Sequence, residues 1–559
     1  MATAGSIEAD LDVVIVGAGL SGIGAACRLR RDLPRASFVV LEARDAIGGT
    51  WDLFRYPGVR SDSDVYTLAY PFRPWTGEAV IADGPAIRDY ITSTAREAGV
   101  DAALRTGRRV VAASWSTPDA RWELDVELAG GERERYRCRL LYSGTGYYRY
   151  DRGHTPELPG IGRFAGPVVH PQAWPEDLDH AGKRVVVIGS GATAMSLVPA
   201  LARSAAHVVM LQRSPTWVVS SPSRDPSAAR LGRLPGGLGA RVQRARYLLR
   251  NQAFYQLCTR APARAAAMLR AGVVSALPVG YDVDTHFAPR YRPWEERMCL
   301  VPDGDLFAAI REGTVSVVTD RIETFTETGV RLLSGRELEA DVVVTATGLE
   351  VQLLGGIALS VDGRPVEIAE CVDYKGVMLA GVPNLALSFG YVNASWTLKS
   401  DLVARWVCRL LAEMDAGGWD QATPAAPGPQ EPTEAWLPLR SGYVRRAEGL
   451  VPRQGTRAPW RRHHDYLRDL VLLRRSPTAD PTLVLSRRPA PPRAVPPAPS
   501  RAVPGRRWAR QRPSEPGDPR SGWPAGEHRR PTGPWHRPPV GDDRLGVPGG
   551  QRRLPPSGS

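Results

Sequence analysis

The chain has 559 residues and a formal net charge of +13, and its 43% hydrophobic content is typical of a globular protein with two or three domains. Roughly +8 of that charge follows Pro489, so the charge is poor evidence that the body of the chain binds nucleic acid or a membrane. The polar, acidic N-terminus and the short, glycine-broken apolar run 13–26 predict a cytoplasmic protein with no signal peptide and no transmembrane segment. The six cysteines have no CxxC or metal-ligand spacing, which favours free thiols and no metal site.

The first nucleotide-binding motif follows the β-branched run LDVVIV (11–16), which is typical of a buried parallel strand. Gly17, Gly19 and Gly22 then form a G-x-G-x-x-G before a helical stretch. A second strand, SFVVLE, ends in Glu42, about 20 residues after the last glycine. Glycines let backbone N–H groups approach a pyrophosphate, and the acid accepts hydrogen bonds from ribose hydroxyls. This segment therefore predicts a dinucleotide-binding fold.

A glycine pair beside an aromatic residue indicates which dinucleotide binds there. Gly48 and Gly49 precede Thr50 and Trp51, which combines a close backbone approach with an aromatic wall. Such a wall suits an isoalloxazine ring, whereas a nicotinamide site has no need of it. The alternative is a surface loop with a buried Trp. The segment LEARDAIGGTW resembles the pattern of flavoproteins with two dinucleotide-binding domains, and this resemblance implies FAD in the first site.

A second motif repeats the design from residue 184 onward. A strand is followed by Gly189, Gly191 and Ala194 in a G-x-G-x-x-A, and the next strand ends in Gln212-Arg213 where an acid would read the ribose. Arg213 can pair with a 2′-phosphate, which an acid would repel, so this site should prefer NADPH over NADH. The alternative is an ordinary exposed Arg after a strand.

Two such sites in one chain imply an electron path from nicotinamide to flavin. A disulfide reductase would carry a redox cysteine pair soon after the first glycine turn, and the sequence has none there. This excludes that class of flavoprotein.

The segment between the two motifs contains Phe164-x-Gly166-x-x-x-His170-x-x-x-Trp174-Pro175. It resembles the F-x-G-x-x-x-H-x-x-x-W-P/D fingerprint of type I Baeyer–Villiger monooxygenases, whereas the sister N- and S-oxygenating flavin monooxygenases carry a Tyr and a basic residue at its end. The segments HPQAWPEDLD, GSGATA, LQRSPTW, DLFRYPGVRSDSD and CLVPDGDLF are similar to the ethionamide-activating subgroup. The resemblance covers roughly residues 10–490.

The resemblance implies the reaction and its catalytic residues. A C4a-peroxyflavin would insert one oxygen atom of O2 next to a ketone carbonyl and give an ester or lactone. The family's catalytic Arg falls on Arg297, and Asp62 matches the carboxylate that holds it beside the flavin. His170 and Trp174 match positions that tie the two nucleotide domains together. Partners would be a small ketone or sulfide and O2, with no nucleic acid.

One position departs from the family's pattern. Many members have a Lys before the catalytic Arg that helps to hold the 2′-phosphate, and this chain has Glu296 there. Recognition of NADPH therefore depends more heavily on Arg213 and Ser214.

The candidate cofactor contacts fall into two sets. Those for FAD are Gly17, Gly19, Ser21, Gly22, Glu42, Gly49, Thr50, Trp51, Asp52, Leu53, Arg60, Ser61, Asp62 and Val110. Those for NADPH are Gly189, Ser190, Gly191, Ala192, Thr193, Ala194, Arg213 and Ser214.

The resemblance also implies an α/β fold in which an NADPH domain is inserted into an FAD domain. The expected divisions are 10–150 (FAD domain, first part), 151–220 (fingerprint linker and NADPH domain, first part), 221–290 (helical insertion), 291–348 (NADPH domain, second part), 349–488 (FAD domain, second part) and 489–559 (tail). The tail is rich in Pro, Arg and Gly without periodicity, which predicts disorder.

Two alternative functions remain open from the sequence. The same flavin chemistry could oxygenate sulfur in thioethers or thioamides. In the other alternative, the protein is a non-catalytic flavoprotein scaffold whose basic tail binds an anionic partner.

Overall fold

Two sheets, one mixed and one wholly parallel, organise the part of the chain that a computed structural model describes, residues 7–296 and 298–489. Arg297 and the tail from residue 490 onward, on which two of the sequence predictions depend, lie outside the described residues.

The α-helices are α1 Leu20–Asp32, α2 Thr50–Leu53, α3 Val65–Leu68, α4 Gly84–Glu97, α5 Ala192–Leu201, α6 Ser227–Leu231, α7 Leu238–Arg260, α8 Pro262–Ala276, α9 Val283–Phe287, α10 Asp305–Arg311, α11 Trp396–Gly417, α12 Gly442–Arg446 and α13 Tyr466–Arg474.

The strands are β1 Ile7–Val16, β2 Phe38–Leu41, β3 Leu104–Arg105, β4 Arg108–Ser116, β5 Arg121–Leu128, β6 Arg133–Ser143, β7 Tyr148–Gly153, β8 Val168–Val169, β9 Arg184–Ile188, β10 His207–Gln212, β11 Val218–Ser221, β12 Cys299–Pro302, β13 Val315–Thr319, β14 Ile322–Phe325, β15 Gly329–Leu332, β16 Glu337–Glu339, β17 Val342–Thr345, β18 Leu349–Val351, β19 Ala358–Val361, β20 Arg364–Pro365, β21 Asp373–Tyr374, β22 Met378–Leu379, β23 Leu385–Leu387, β24 Gln421–Pro424, β25 Thr433–Ala435, β26 Arg453–Gly455 and β27 Leu483–Ser486.

The first sheet has the strand order β20-β19-β4-β5-β6-β1-β2-β3, and β23 also pairs with β6. The strands β3, β2, β1, β6 and β23 run parallel, whereas β4, β5 and β6 pair antiparallel. Successive side chains of β1 enter opposite cores, because strand side chains alternate between faces. Val13 and Ile15 pack with α1, α4 and α11, and Val14 and Val16 pack with the layer around Trp122. This explains the unbroken apolar run in the sequence.

The second sheet has the order β13-β10-β9-β17-β8, and all of its strands are parallel. Val185 and Val187 of β9 pack towards α5 and α10, while Val186 and Ile188 pack with Phe325 of the small β14–β15–β16 sheet. In the first sheet β1 is flanked by β2 on one side and by β6 on the other, and in the second sheet β9 is flanked by β10 and β17. Because the connections from these central strands go to opposite sides, a crevice opens at the carboxyl ends of the strands.

The helices α6 to α9 lie between β11 and β12, within the segment predicted as a helical insertion. Within the ranges given above, the structure contains no helix whose length and apolar character would let it span a bilayer.

Candidate active site

A cavity of about 480 Å³ opens at the carboxyl ends of β1, β2 and β6. Gly17, Gly19, Glu42 and Gly144, which follow these strands, line it. Its volume is in the range of small-molecule and cofactor sites, and it lies where the strand order of the first sheet reverses. The topology therefore places the first glycine motif at the position expected for a bound dinucleotide.

The glycine turn is packed so closely that side chains are excluded from it. Gly17 has a φ of +100°, and a Cβ on Gly22 would lie 1.7 Å from the carbonyl oxygen of Gly17. Helix α1 begins directly after Gly19. Gly19 is its N-cap residue and has no side chain that could accept a hydrogen bond from the first N–H groups of the helix. Its first N–H groups remain available to an anion, which is the arrangement of a pyrophosphate site.

Glu42 is held at the edge of the cavity by two backbone groups. Its carboxylate accepts from the N–H of Ala18 at 2.7 Å and from the N–H of Arg44 at 2.9 Å. Burial raises the pKa of Glu42, and these two hydrogen bonds oppose that shift. The side chain is therefore oriented before any ligand binds, and it borders the cavity beside the glycine turn.

The glycine pair after β2 forms the facing wall. A Cβ on Gly49 would lie 3.0 Å from the Cα of Gly19, so the two glycine turns touch. Thr50 and Trp51 also line the cavity. Gly22, Asp52 and Leu53 lie outside the lining. Asp52 instead forms ion pairs with Arg44 at 2.5 Å and Arg55 at 3.4 Å.

Four other predicted residues contribute to the same lining: Arg60, Ser61, Asp62 and Val110. Arg60 reaches across to two helices that pack against the second sheet: it forms an ion pair with Asp305 of α10 at 2.5 Å and donates to the carbonyl of Met195 in α5 at 3.2 Å. A cationic side chain and the carboxylate of Asp62 are thus brought to one wall. The structure does not describe Arg297, the predicted partner of Asp62.

The helix after the second glycine motif reaches this same cavity. Gly189 has a φ of +133°, and a Cβ there would lie 2.3 Å from the carbonyl oxygen of Ala346, whereas a Cβ on Gly191 would meet nothing within 4 Å. Helix α5 starts without a side-chain cap, and its first residues, Ala192 and Thr193, line the cavity. The other predicted NADPH residues (Gly189, Ser190, Gly191, Ala194, Arg213 and Ser214) lie outside that lining.

Arg213 and Ser214 are exposed at the end of β10. Ser190 donates its hydroxyl to the carbonyl of Ser214 at 3.2 Å, which joins the second glycine turn to this strand end. Glu296 lies nearby: burial raises the pKa of its carboxyl, and the charges of Arg445 and Arg213 oppose that shift. The unusual acid of the sequence is therefore an electrostatic neighbour of the residue expected to read the 2′-phosphate.

The fingerprint residues are spread along the crossing between the sheets. Phe164 is buried against Phe325 with ring centroids 6.3 Å apart. A Cβ on Gly166 would lie 2.4 Å from the carbonyl oxygen of Asp341, so only glycine fits there. Trp174 is half-buried against the core of the second sheet. His170 is hydrogen-bonded to the carbonyl of Gly348 at 3.1 Å. None of these four residues is part of the cavity lining.

Sequence reasoning missed several aromatic residues of the lining. Trp396 donates its indole N–H to Ser21 Oγ at 2.7 Å, and its ring is stacked on Tyr147 with centroids 5.4 Å apart and an interplanar angle of 9°. Helix α11 begins at Trp396 without a side-chain cap, so its N-terminus faces the cavity in addition to those of α1 and α5. The other missed lining residues include Arg108, Arg109, Thr145, Tyr148, Tyr150, Gln352 and Tyr391. The glycine- and aromatic-rich segments LYSGTGY and GYVNASW were the available signal.

These features fit FAD. The uncapped start of α1 and the excluded side chains at Gly17 and Gly22 suit a pyrophosphate, and Glu42 is placed for a ribose. Trp51 and Trp396 supply aromatic walls for a flat ring system.

Comparisons with known proteins agree with this geometry. Residues 15–78 match the model of an NAD(P)-binding Rossmann-like domain, and residues 109–227 match the model described as flavin-binding monooxygenase-like. The predicted α/β class with Rossmann-like units is thereby confirmed. Among solved structures, an oxidized steroid monooxygenase bound to NADP has the same fold, with a TM-score of 0.67, 22% identity and coverage of 86% of this chain and 100% of that one.

Relatives with much higher identity extend over nearly the whole described chain. The FAD-containing monooxygenase EthA of Mycobacterium tuberculosis (strain ATCC 25618 / H37Rv) is 51% identical over 483 residues, which is 86% of this chain and 99% of EthA. The FAD-containing monooxygenase EthA of Mycolicibacterium smegmatis is 50% identical over 465 residues, 83% of this chain and 94% of the relative. Identity at this level over almost the full length of the relatives confirms the resemblance drawn from the fingerprint, and the chain belongs to the family of FAD-containing monooxygenases.

Proposed function

We propose that this monooxygenase uses FAD and NADPH to insert one oxygen atom of O2 next to a ketone carbonyl, giving an ester or lactone. The observation that carries the proposal is that both glycine motifs reach one cavity. Gly17 and Gly19 line it from the first motif, and Ala192 and Thr193 line it from the second. A dinucleotide whose pyrophosphate is bound at the start of α5 could then extend its nicotinamide into the same cavity as the flavin of an FAD whose pyrophosphate is bound at the start of α1.

Bound FAD, once reduced by NADPH, supplies the activated oxygen. Residues that follow the strands of the first sheet would hold the cofactor: the glycine turn and the start of α1 would bind its pyrophosphate, and Glu42 would bind its ribose. Trp51 and Trp396 line the same cavity, and as large apolar side chains they would help to exclude water from a ring system bound there.

The charged residues of the wall would stabilise an oxyanion during oxygen transfer. We infer from the sequence motif that Arg297 provides the cation and that Asp62 orients it. Arg60 belongs to the same wall, and its ion pair with Asp305 at 2.5 Å anchors that wall to the second sheet. Arg213 and Ser214 would bind the 2′-phosphate, with Glu296 weakening that interaction.

The domain divisions predicted from the sequence follow from the same proposal. The first and last parts of the described chain build the sheet around β1 and would hold FAD. Residues 151–220 and 291–348 would hold NADPH, since they contribute the strands around β9.

Oxygenation of sulfur in thioethers or thioamides is the second candidate. The subgroup resemblance favours it, and so does 51% identity to EthA set against 22% identity to the steroid monooxygenase. The non-catalytic scaffold loses its support, because the chain belongs to an enzyme family.

Mass spectrometry of products would test both candidates. The FAD-loaded protein is incubated with NADPH, O2 and matched pairs of ketones and thioethers. A gain of one oxygen as ester or lactone supports the first candidate, and sulfoxide as the sole product supports the second. The Arg297→Ala variant should retain FAD and lose both products, and an unchanged product yield would refute the assigned role.

A further inference from the structure

The outward face of α7 is apolar along its first half. Leu238, Val242, Ala245 and Leu249 follow at spacings of four, three and four residues, which keeps them within an arc of roughly 60°. All four are exposed, Leu238 by 50% and Leu249 by 58%, while Tyr247 on the opposite side is buried. A helix on a protein surface normally presents polar residues to water, so this face is the reverse of the usual pattern.

Exposed apolar side chains are concentrated in this part of the molecule. The described residues include fourteen large apolar side chains that are exposed, and half of them fall between residues 234 and 279. These seven are Leu234, Leu238, Val242, Leu249, Met268, Val274 and Val279. Single exposed apolar residues are ordinary, but such a concentration marks an interaction surface.

The same segment is strongly basic. Residues 226–281 contain nine arginines and no Asp or Glu. On α7, Arg241 lies on one side of the apolar stripe, and Arg246 and Arg250 lie on the other. Arg246 pairs with Asp225 at 3.2 Å. In the described part of the chain, no carboxylate lies within 4.0 Å of Arg241 or Arg250, and the Arg250 guanidinium is stacked 4.2 Å from the ring centroid of Tyr247.

We propose that this basic apolar face, formed by Leu238, Val242, Leu249, Arg241 and Arg250 of α7 together with the exposed Arg233 of the turn before it, docks onto the surface of an anionic lipid bilayer. Leucine and valine side chains would enter the boundary between headgroups and acyl chains, and the arginines beside them would pair with lipid phosphates. A nucleic acid would match the charge and leave the apolar stripe in water. A second copy would bring two acid-free basic faces together, and their like charges would repel.

The inner face of the same helix is fixed to the wall of the cavity. Arg244 donates to the carbonyl of Ala69 at 2.7 Å, and Asn251 donates to Asp64 at 2.8 Å. The segment that receives these bonds, residues 64–69, includes Leu68, which lines the cavity. Docking would therefore hold the cavity wall about one helix diameter, roughly 10 Å, from the bilayer. Apolar substrates dissolved in the bilayer would then be close to the site.

Vesicle flotation of the FAD-loaded full-length protein tests the proposal. Vesicles of phosphatidylglycerol and phosphatidylcholine in equal parts should bind the protein, less so as salt is raised, and pure phosphatidylcholine should bind it much more weakly. The variant R233Q/R241Q/R250Q should bind the anionic vesicles about a hundredfold more weakly, at roughly fivefold per arginine. The variant L238Q/V242Q/L249Q should lose binding although its charge is unchanged.

Two matched variants serve as controls. R331Q/L333Q/R364Q removes exposed basic and apolar side chains elsewhere and should bind like the parent protein. R506Q/R507Q/R510Q neutralises part of the basic tail and should also bind like the parent. Loss of binding in the tail variant, or full binding by both α7 variants, would overturn the proposal. So would light scattering that shows L238Q/V242Q/L249Q splitting a dimer. Flavin absorbance and the melting temperature verify folding, and no readout requires turnover, so the outcome is independent of the proposed reaction.

Discussion

His170 donates a hydrogen bond from Nε2 to the carbonyl oxygen of Gly348 at 3.1 Å. Its Nδ1 accepts the backbone N–H of Gln172 at 3.1 Å, which assigns the ring proton to Nε2. Gly348 ends the strand region that leaves the second sheet, and His170 lies on the segment that enters it. The adjacent β7 and β18 pair antiparallel, with Leu349 opposite Gly153. One side chain therefore links the two crossings between the sheets.

Replacing His170 by Ala should uncouple the reaction while leaving FAD bound. The two crossings would lose their link, and a misplacement of about 1 Å between reacting groups can cost 10²-fold in rate. We expect oxygenated product to fall about 10- to 100-fold and the share of NADPH oxidised to hydrogen peroxide to rise. His170→Gln, which can still donate at the Nε2 position, should recover part of the coupling. If both variants and the parent yielded the same amount of oxygenated product per NADPH oxidised, the positioning role would be excluded.

Gly22→Ala should prevent FAD binding, because the new Cβ would lie 1.7 Å from the Gly17 carbonyl oxygen and the turn would have to move. The expected result is either soluble protein that lacks flavin absorbance or no soluble protein. Gly191→Ala is the matched control: its Cβ would meet nothing within 4 Å, so FAD content should be retained while the KM for NADPH rises. A flavin content equal to the parent in Gly22→Ala would contradict the steric argument.

Arg213→Ala should weaken the binding of NADPH and leave the binding of NADH nearly unchanged. A hydrogen bond to a charged group contributes about 1.5–3 kcal/mol, so kcat/KM for NADPH should fall roughly 10- to 100-fold while that for NADH changes little. Glu296→Gln removes a neighbouring negative charge and should raise kcat/KM for NADPH severalfold. Steady-state kinetics with both nucleotides provide the measurement, and a parallel loss with NADH would show that Arg213 does not read the 2′-phosphate.

The Arg60–Asp305 pair should couple the two sheets energetically. Its side chains are only 18% and 25% exposed, and the guanidinium contacts both carboxylate oxygens, at 2.5 and 3.3 Å. A double-mutant cycle of Arg60→Ala and Asp305→Ala should give a coupling free energy of about 1–2 kcal/mol in urea unfolding. The same cycle on Arg133 and Glu127, an exposed pair 3.0 Å apart, should give much less. Equal coupling free energies for the two pairs would mean that burial does not strengthen the Arg60–Asp305 ion pair.

Stability should fall in mild acid because of His464. Burial holds the pKa of His464 well below its usual range, and the nearby charges of Arg462 and Lys399 add to this effect. The unfolded chain protonates this residue near pH 6.5, so below that pH the unfolded state binds one more proton than the folded state. The free energy of unfolding should then drop by up to about 1.4 kcal/mol per pH unit from this residue.

Urea unfolding between about pH 7.5 and pH 5.5 checks this. His464→Gln should flatten the decline, because the variant has no ring to protonate. Arg461→Gln, a change at an exposed neighbour that does not titrate in this range, should leave the decline unchanged. Identical slopes for His464→Gln and the parent would refute the assignment.

Local patterns predicted the two nucleotide motifs correctly as strands, glycine turns and helices. β1 starts at Ile7, earlier than the predicted residue 11, and ends at Val16 immediately before the glycine turn. The pattern works because a backbone turn and the first turn of a helix are decided by a few consecutive residues. The fingerprint also indicated the family from residues 164–175 alone.

The closure of the site was decided by the tertiary structure. Ser21 and Trp396 are 375 positions apart, Arg60 and Asp305 are 245 apart, and His170 and Gly348 are 178 apart. Asp52 looked like a cofactor contact in sequence, yet it forms ion pairs with Arg44 and Arg55 outside the cavity lining. The glycine turns, by contrast, need only their immediate neighbours. Contacts between distant residues depend on how the strands of the two sheets are ordered in space. The local conformational preferences of a sequence do not determine that order.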